Sequence, residues 1–431
     1  MTGSLPVLVG REPAARPVGV RRVAELLDRV LFCVLVFFTC FTILRPSPYD
    51  FVAILFILLW LVLGIRVHRA VLMIVGLLLA YIVGAAVSVL PYLDEWLSVQ
   101  WTYQFVYLVA TGVFFVAFFS DNTLARVSLG LRAYLASCLF AAVCGILNYF
   151  GAFSELFFTM EGRAAGVFDD PNSLGSFLIL SMLYLVHNFL TGRTRNIVAS
   201  GVMLLIVLAC IFLSFSRGSW GAAVVSLGLI CVMTWQASPT REFRRRLAAF
   251  SALTVLVATI LVGGLLSIEG VAERFTERAQ VTQDYDEGET GRFGNQLRGI
   301  PMLVERPLGL GPLRWRRTFA LEPHNSYLGA FANGGWLGGF AFIGIVLATT
   351  FVGFRLCLTP SPYQRYAQIV WPALFVFFLQ AFQIDIEKWR HVYLMLGMLW
   401  GLEAARCAWL RNVSAPTGTA PAFDGTSPQP A

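Results

Sequence analysis

Long apolar runs separated by short polar stretches dominate this chain. A membrane-spanning helix needs roughly 20 mainly apolar residues, and the sequence supplies about twelve such runs. They lie near Leu27–Leu44, Tyr49–Ile65, Ala70–Leu90, Trp101–Phe119, Leu129–Phe150, Ser173–Leu190, Asn196–Phe215, Ser219–Gln236, Leu247–Ile268, Ser326–Phe354, Tyr366–Ile384 and His391–Trp409. Because helices satisfy their own backbone hydrogen bonds in lipid, the pattern predicts an all-α polytopic membrane protein with about twelve transmembrane helices.

One long polar stretch, Glu269–Pro323, interrupts this pattern between the ninth and tenth apolar runs. Its periodicity predicts one helix over Gly270–Gln280 and a second over Arg292–Glu305, the latter disturbed by Pro301. The acidic stretch Gln283–Glu289 between them is expected to be flexible. The sequence therefore predicts one large loop that contains two helices.

A single membrane domain is expected over residues 27–410, with this loop, 269–323, inside it. Residues 1–26 are predicted to form an N-terminal tail, and residues 411–431, rich in Pro, Ala, Thr and Gly, a disordered C-terminal tail. Immediately after the loop, Gly334 with Gly338 and Gly335 with Gly339 have the spacing that lets membrane helices approach closely.

The composition, 57% hydrophobic and 13% charged, excludes an ordinary soluble domain. The formal charge of +7 does not indicate a nucleic-acid partner, because the arginines concentrate in alternate short loops and in both tails. This positive-inside pattern places both termini in the cytoplasm and the large loop on the opposite side of the membrane. The excess charge is thus explained by topology.

Neither a metal nor a cofactor is expected. The eight cysteines lie in or beside apolar runs, so no disulfide or zinc cluster is indicated. The acidic pairs Asp94-Glu95 and Asp169-Asp170 have no further ligands at a recognisable spacing. Asp170 and Asn172 are instead expected to cap a helix that begins at Ser173.

Three charged side chains on the outward side are candidates for chemistry: Arg217, Arg292 and His324. Arg217 lies between two apolar runs, in a small polar niche where Ser219 is expected to cap the next helix. A guanidinium there suits phosphate binding, although an arginine at a helix end also reaches lipid headgroups. Arg292 begins a predicted helix and is either an anion ligand or a solvated loop charge.

His324 directly precedes an apolar run and is either a structural residue or a general base. His391 is the competing histidine. Outside a bacterial inner membrane, the location that we infer, neither ATP nor nucleotide sugars are present. A donor there must carry its own leaving group, such as a lipid diphosphate. Two arginines would neutralise the departing diphosphate without a metal, and a neutral histidine would take a proton from an acceptor hydroxyl.

Four motifs, in this order and topology, resemble the O-antigen ligase and polysaccharide polymerase family of bacterial envelopes. They are Arg163–Phe168 with Pro171-Asn172; Ser214–Trp220; Gly291-Arg292 ahead of Pro307–Gly311; and Pro323–Leu328 leading into Gly334–Gly338. Together with the large loop before the tenth apolar run, they extend the resemblance over essentially the whole membrane region.

The resemblance implies a GT-C-like fold and an inverting, metal-independent glycosyl transfer on the periplasmic side of the bacterial inner membrane. The donor would be a glycan on undecaprenyl diphosphate, and the acceptor lipid A-core or a growing glycan. By position, Arg217 and Arg292 would hold the diphosphate and His324 would act on the acceptor hydroxyl. Possible supporting residues are Arg163, Asn172, Ser216, Asn325 and Tyr327.

Ligases, polymerases and relatives that glycosylate proteins share these motifs, so the acceptor stays open. A transporter or flippase of glycan-lipids is the alternative class. It predicts charges near the bilayer midplane, whereas the apolar runs here are almost free of charge at their centres. A purely structural scaffold would leave the outward arginines and His324 without a role.

Overall fold

The structure is a computed structural model that describes residues 18–152, 158–160, 162–237, 240–279, 288, 291–319 and 321–414. The predicted N-terminal tail up to residue 17, the acidic stretch Gln283–Glu289 apart from Gly288, and the predicted C-terminal tail beyond Ser414 lie outside these residues.

Helices make up almost all of this part of the chain. They are α1 Val18–Phe37, α2 Pro48–Leu63, α3 Leu72–Val89, α4 Trp96–Ser120, α5 Thr123–Tyr149, α6 Pro171–Phe177, α7 Ile179–Leu190, α8 Ile197–Leu213, α9 Arg217–Gln236, α10 Arg241–Leu266, α11 Glu269–Arg278, α12 Arg292–Val304, α13 Trp315–Phe319, α14 Ser326–Leu358, α15 Gln364–Gln380 and α16 Arg390–Ser414. One antiparallel hairpin pairs β1 Phe158–Met160 with β2 Arg163–Gly166.

Within the described residues, seven helices are long and apolar enough to cross a membrane. They cover Arg69–Tyr92, Trp96–Ser120, Thr123–Tyr149, Pro171–Leu190, Arg217–Gln236, Arg241–Leu266 and Ser326–Leu358, and the shorter Pro48–Leu63 and Ile197–Leu213 are also apolar. The structure is consistent with an all-α polytopic membrane protein. The number of twelve transmembrane helices stays a prediction, although helix occupies each of the predicted runs.

Close packing of α3 against α14 uses the predicted glycine run. A Cβ atom on Gly84 would lie 2.6 Å from both the Gly334 carbonyl oxygen and the Gly338 nitrogen, so only glycine allows this approach. Gly335 has a different role. Its φ of 63° breaks the helix, and Trp336 N donates to the Pro307 carbonyl oxygen (2.8 Å) at that point. The polar loop therefore docks into a break in α14.

The helices α15 and α16 lie at the centre of the bundle, and most of their residues are buried. α16 packs on α4, where Phe115 and Phe119 contact Gly397 and Gly401 closely enough to leave no room for a Cβ atom. α15 packs on α7, α9 and α14. The C-terminal end of α15 is thus surrounded by helices that carry the candidate residues.

Both helices predicted in the large loop are confirmed as α11 and α12. Asn295, Gly299 and Leu303 form the buried face of α12, and Gly299 leaves room there for the Trp315 ring of α13. The loop is fixed to the turn between α3 and α4, since the Glu95 carboxylate pairs with Arg314 and with Arg317 (2.9 Å). The part of the loop after α12 is therefore folded against the bundle.

Candidate functional site

The turn between α8 and α9 positions Arg217. Phe215 is buried there with a φ of 47°, a conformation that costs a non-glycine residue about 1–3 kcal/mol and recurs at functional sites. Ser216 caps α9, because its hydroxyl accepts from Ser219 N (3.2 Å). The expectation that Ser219 is the cap was wrong: the helix already begins at Arg217, two residues earlier, so Ser219 lies in its first turn.

Arg163 braces this turn from the β-hairpin. Its side chain is buried, and its Nε donates to the Ser214 carbonyl oxygen (2.9 Å) while its Nη2 donates to Asn172 Oδ1 (2.8 Å). Asp170 caps α6 by accepting from Asn172 N (3.0 Å). The predicted capping role of Asn172 was wrong, because the helix begins at Pro171 and the Asn172 amide oxygen is bonded to Arg163 instead.

Hydroxyl groups connect the start of α9 to the end of α15. Ser219 Oγ donates to Ser216 Oγ (2.9 Å) and lies 3.2 Å from Ser176 Oγ. Ser176 Oγ donates in turn to Gln380 Oε1 (3.1 Å), in the last turn of α15. Gly218 faces the same amide, since a Cβ atom there would lie 3.3 Å from Gln380 Nε2. Arg217 therefore begins a helix that packs on the C-terminal end of α15.

His324 lies just before α14 with a φ of 44°, and it is one of four non-glycine residues with a positive φ among the described residues. Asn325 caps α14, because its Oδ1 accepts from Tyr327 N (3.0 Å) and Leu328 N (3.2 Å). The imidazole is partly open, with 45% of its side chain exposed, and its Nδ1 lies 3.5 Å from Asp385 Oδ2. His324 thus forms a pair with a carboxylate from the loop between α15 and α16.

The first turn of α14 fixes the loop that carries Asp385. Ser326 N donates to the Ala381 carbonyl oxygen (2.7 Å), and Ser326 Oγ accepts from Ile386 N (2.7 Å). The same hydroxyl lies within hydrogen-bond distance of the Ile384 carbonyl oxygen (3.0 Å) and Glu387 Oε2 (3.2 Å). Tyr327 OH donates to the Phe378 carbonyl oxygen (2.9 Å). His324 and Asp385 are therefore held by one set of contacts.

Arg292, in the large loop, lies on the helix that contacts the residue before His324. It is the first residue of α12, and one turn later Gln296 Nε2 donates to the Pro323 carbonyl oxygen (2.8 Å), which fixes α12 beside His324. The hydrogen bond to Asp385 raises the pKa of His324, and the positive charge of Arg292 acts against that rise. Arg292 therefore acts electrostatically on His324. The helix that begins at Arg217 packs on α15, and the Ala381 carbonyl oxygen at the end of α15 accepts from Ser326 N.

The hydrogen bond to Asp385 is the main cause that raises the pKa of His324 above its ordinary 6.5. Burial opposes that effect, as does the Arg292 charge, while the Asp385 and Glu322 charges add to it. Nearby, burial and the Asp385 charge raise the pKa of Glu387, and burial lowers the pKa of Lys388. Asp385 therefore favours the protonated imidazole, as a carboxylate does behind a catalytic histidine.

A cavity of about 760 Å³ opens beside Asp385. Its wall includes ion pairs between Arg45 and Asp169 and between Arg390 and Asp50, so most of its charges are matched. Amide and aromatic side chains make up much of the rest: Gln100, Gln104, Tyr103, Tyr107 and Trp389. Hydrogen-bonding groups beside aromatic faces are suited to a polyhydroxylated ligand.

The competing histidine, His391, also borders this cavity but belongs to the core. It is 2% exposed, and its ring stacks on Trp389 with centroids 5.3 Å apart. The acidic pairs considered for a metal are engaged elsewhere: Glu95 with Arg314 and Arg317, and Asp169 with Arg45.

Sequence reasoning missed Asp385, Ser326 and Glu387. The sequence did contain an indication of Asp385 and Glu387, because both lie in the short polar break between the last two apolar runs. In the predicted topology that break faces the same side as His324. Two carboxylates in such a break are costly enough to suggest a function, but only the fold shows that Asp385 pairs with His324 and that Glu387 contacts the Ser326 hydroxyl.

The fold and this site define a polytopic helical membrane protein that has a histidine–carboxylate pair and an arginine as the first residue of two of its helices. Residues 202–343 match the protein-family model described as O-Antigen ligase, a segment that contains Arg217, Arg292 and His324. This segment of the chain is therefore similar to the O-antigen ligase family, and the similarity supports an enzyme that handles glycans. No curated protein matches the chain significantly.

Proposed function

We propose that this protein is a bacterial inner-membrane glycosyltransferase that moves a glycan from undecaprenyl diphosphate to an acceptor hydroxyl on the periplasmic side. The observation that carries the proposal is the His324–Asp385 pair at the start of α14, with the Arg292 charge acting on it. A base held by a carboxylate beside a cation fits a reaction in which a hydroxyl is deprotonated while an anion departs.

In the proposed reaction, His324 takes the proton of the acceptor hydroxyl, and the acceptor oxygen forms a bond to the anomeric carbon of the donor. The bond between that carbon and the diphosphate oxygen breaks, and its electron pair leaves with the diphosphate. Arg217 and Arg292 neutralise the charge that develops there, since guanidinium groups bind phosphate bidentately. Attack from the face opposite the leaving group inverts the anomeric configuration.

The supporting residues have positioning roles in this proposal. Ser216 caps the helix that begins with Arg217, and Arg163 with Asn172 fixes the turn before it. Asn325 and Tyr327 hold the start of α14 behind His324. The acceptor is proposed to enter through the cavity beside Asp385, whose matched charges and aromatic side chains suit a saccharide.

The direct test is transfer by the purified protein in lipid nanodiscs, with a glycan on undecaprenyl diphosphate as donor and lipid A-core as acceptor, followed by mass spectrometry. We expect product formation that excess EDTA changes by less than about twofold, because cationic side chains stabilise the leaving group. If EDTA abolished transfer and Mg²⁺ restored it, the metal-independent mechanism would be wrong. Movement of the donor across the bilayer without bond formation would support the flippase alternative.

The pH dependence of transfer tests the partnership between His324 and Asp385. His324 accepts a proton only when neutral, so the rate falls as the pH drops through its raised pKa, and the acid limb should lie above pH 6.5. In Asp385→Asn the main cause of the raised pKa is removed, so the acid limb should move to lower pH. The plateau rate should fall by roughly tenfold or more, because the imidazolium loses its counter-charge.

Asp169→Asn provides the matched control, since Asp169 is another carboxylate on the cavity wall and pairs with Arg45. It should leave the acid limb in place. An acid limb that stays unchanged in Asp385→Asn would show that Asp385 does not set the protonation of the base.

A further inference from the structure

Helix α12 of the large loop carries an apolar stripe on the side away from its buried face. Phe293, Leu297, Ile300 and Val304 are all exposed there, with 71% of Leu297 and 62% of Val304 accessible. Their spacing of four, three and four residues puts them on one line along the helix. The face that packs on the loop, Asn295, Gly299 and Leu303, points in a different direction.

A helix in an aqueous loop normally turns polar residues outward, and a contiguous exposed apolar stripe marks an interaction surface. The stripe on α12 continues onto a membrane helix. Trp336 Nε1 donates to the Leu303 carbonyl oxygen (3.0 Å), which joins the end of α12 to α14. Trp336, Leu337 and Phe340 are exposed beyond that junction, on a helix long enough to span the bilayer.

We propose that α12 lies in the membrane interface, on the side of the bilayer where His324 lies, with its apolar stripe inserted among the lipid acyl chains. Continuity with the exposed side of α14 identifies lipid as the occupant, because that side of a membrane-spanning helix already faces acyl chains. Trp336 at the junction is the residue type that favours the boundary between headgroups and acyl chains.

The consequence concerns Arg292, and it rests on the proposed function. An interfacial α12 holds its first residue, Arg292, at headgroup depth, where the diphosphate of a membrane-anchored donor also lies. The arginine would then meet the diphosphate without lifting the donor out of the bilayer. The large loop would thus contribute Arg292 to the site from a helix that is bound to the membrane surface.

Spin labels on α12 test this placement in nanodiscs made of phosphatidylethanolamine and phosphatidylglycerol. A label is attached to Leu297→Cys in the apolar stripe, or to Glu305→Cys as the matched control, since Glu305 is an exposed polar residue that directly follows the last residue of α12. The background replaces the partly exposed native cysteines, Cys33, Cys231 and Cys407, by serine. Collision rates with oxygen, which concentrates in lipid, and with a nickel chelate, which stays in water, report the depth of the label.

We expect the label at position 297 to collide more with oxygen than with the nickel chelate, and the label at 305 to show the reverse. A preference for the nickel chelate at both positions would overturn the proposal. Shielding of position 297 from both agents would overturn it too, because a protein partner or second copy would then cover the stripe. Neither result depends on activity, so a failure here is distinct from a failure of the glycosyl transfer test.

Discussion

Glycan transfer by His324→Ala is expected to fall by roughly 10²- to 10⁴-fold, the usual contribution of a general base. The residue lies 3.5 Å from Asp385 with a partly open imidazole, so its removal leaves the acceptor hydroxyl without a proton acceptor. The loss should appear in the turnover of donor in nanodiscs at a fixed protein amount. It should not be accompanied by lower abundance, because the contacts that hold α14 come from Asn325, Ser326 and Tyr327.

The control for this variant is His68→Ala. His68 Nε2 lies 3.1 Å from Asp121 Oδ1, so it is a second histidine–carboxylate pair, formed by residues outside the candidate site. Transfer should be retained in that variant. Wild-type transfer by His324→Ala would show that His324 is not the base of the reaction.

The same variant distinguishes a ligase from a polymerase in cells. In a strain with only the His324→Ala protein, long polymer stranded on undecaprenyl diphosphate would identify a ligase. Single repeat units, whether stranded or attached to the core, would identify a polymerase. The measurement is the profile of lipid-linked and outer-membrane glycans, which separates the two by length and by carrier.

Arg217→Ala and Arg292→Ala are each expected to lower kcat/KM for the donor by about 10- to 100-fold. A hydrogen bond to a charged group contributes about 1.5–3 kcal/mol, which corresponds to that range. Lysine in either position should restore only part of the loss, because it keeps the charge without the bidentate geometry. The measurement is the initial rate against donor concentration for each variant.

Arg274→Ala is the matched control in the same loop. Arg274 is half-buried and pairs with Glu277 within α11 (3.0 Å), away from His324, so donor kinetics should stay within about twofold of wild type. Normal kinetics in both Arg217→Ala and Arg292→Ala would contradict the diphosphate role. An equal loss in Arg274→Ala would point to a general effect of the loop charge.

Local patterns in the sequence predicted much of this architecture. Apolar runs and 3.6-residue periodicity depend only on residues close together in the chain, so the helical bundle, α11 and α12 could be predicted from the sequence. Helix starts were less certain, since Ser216 and Ser219 are both good capping residues and only the turn at Phe215 selects the first.

The candidate site depended on contacts between residues distant in the sequence. Arg217, Arg292 and His324 were found from motifs, but Asp385 meets His324 only because α14 and α15 pack side by side. The break at Gly335 was hidden for the same reason, as it accommodates Pro307 from the loop. The sequence predicts α12, but only the fold shows which side of this helix is buried and which is exposed.

The contact between Ser326 and the loop after α15 has an evolutionary consequence. The segment that matches the family, residues 202–343, holds both arginines and His324, whereas Asp385, Lys388 and Arg390 on the cavity wall come from the two helices that follow and their connection. Recombination between related genes in the connection from α14 to α15 would keep both arginines, His324 and most of the cavity wall from one parent, and would take Asp385 and the rest of that wall from the other. A chimera of that kind would inherit a working base only if its second parent also brought the backbone that the Ser326 hydroxyl binds.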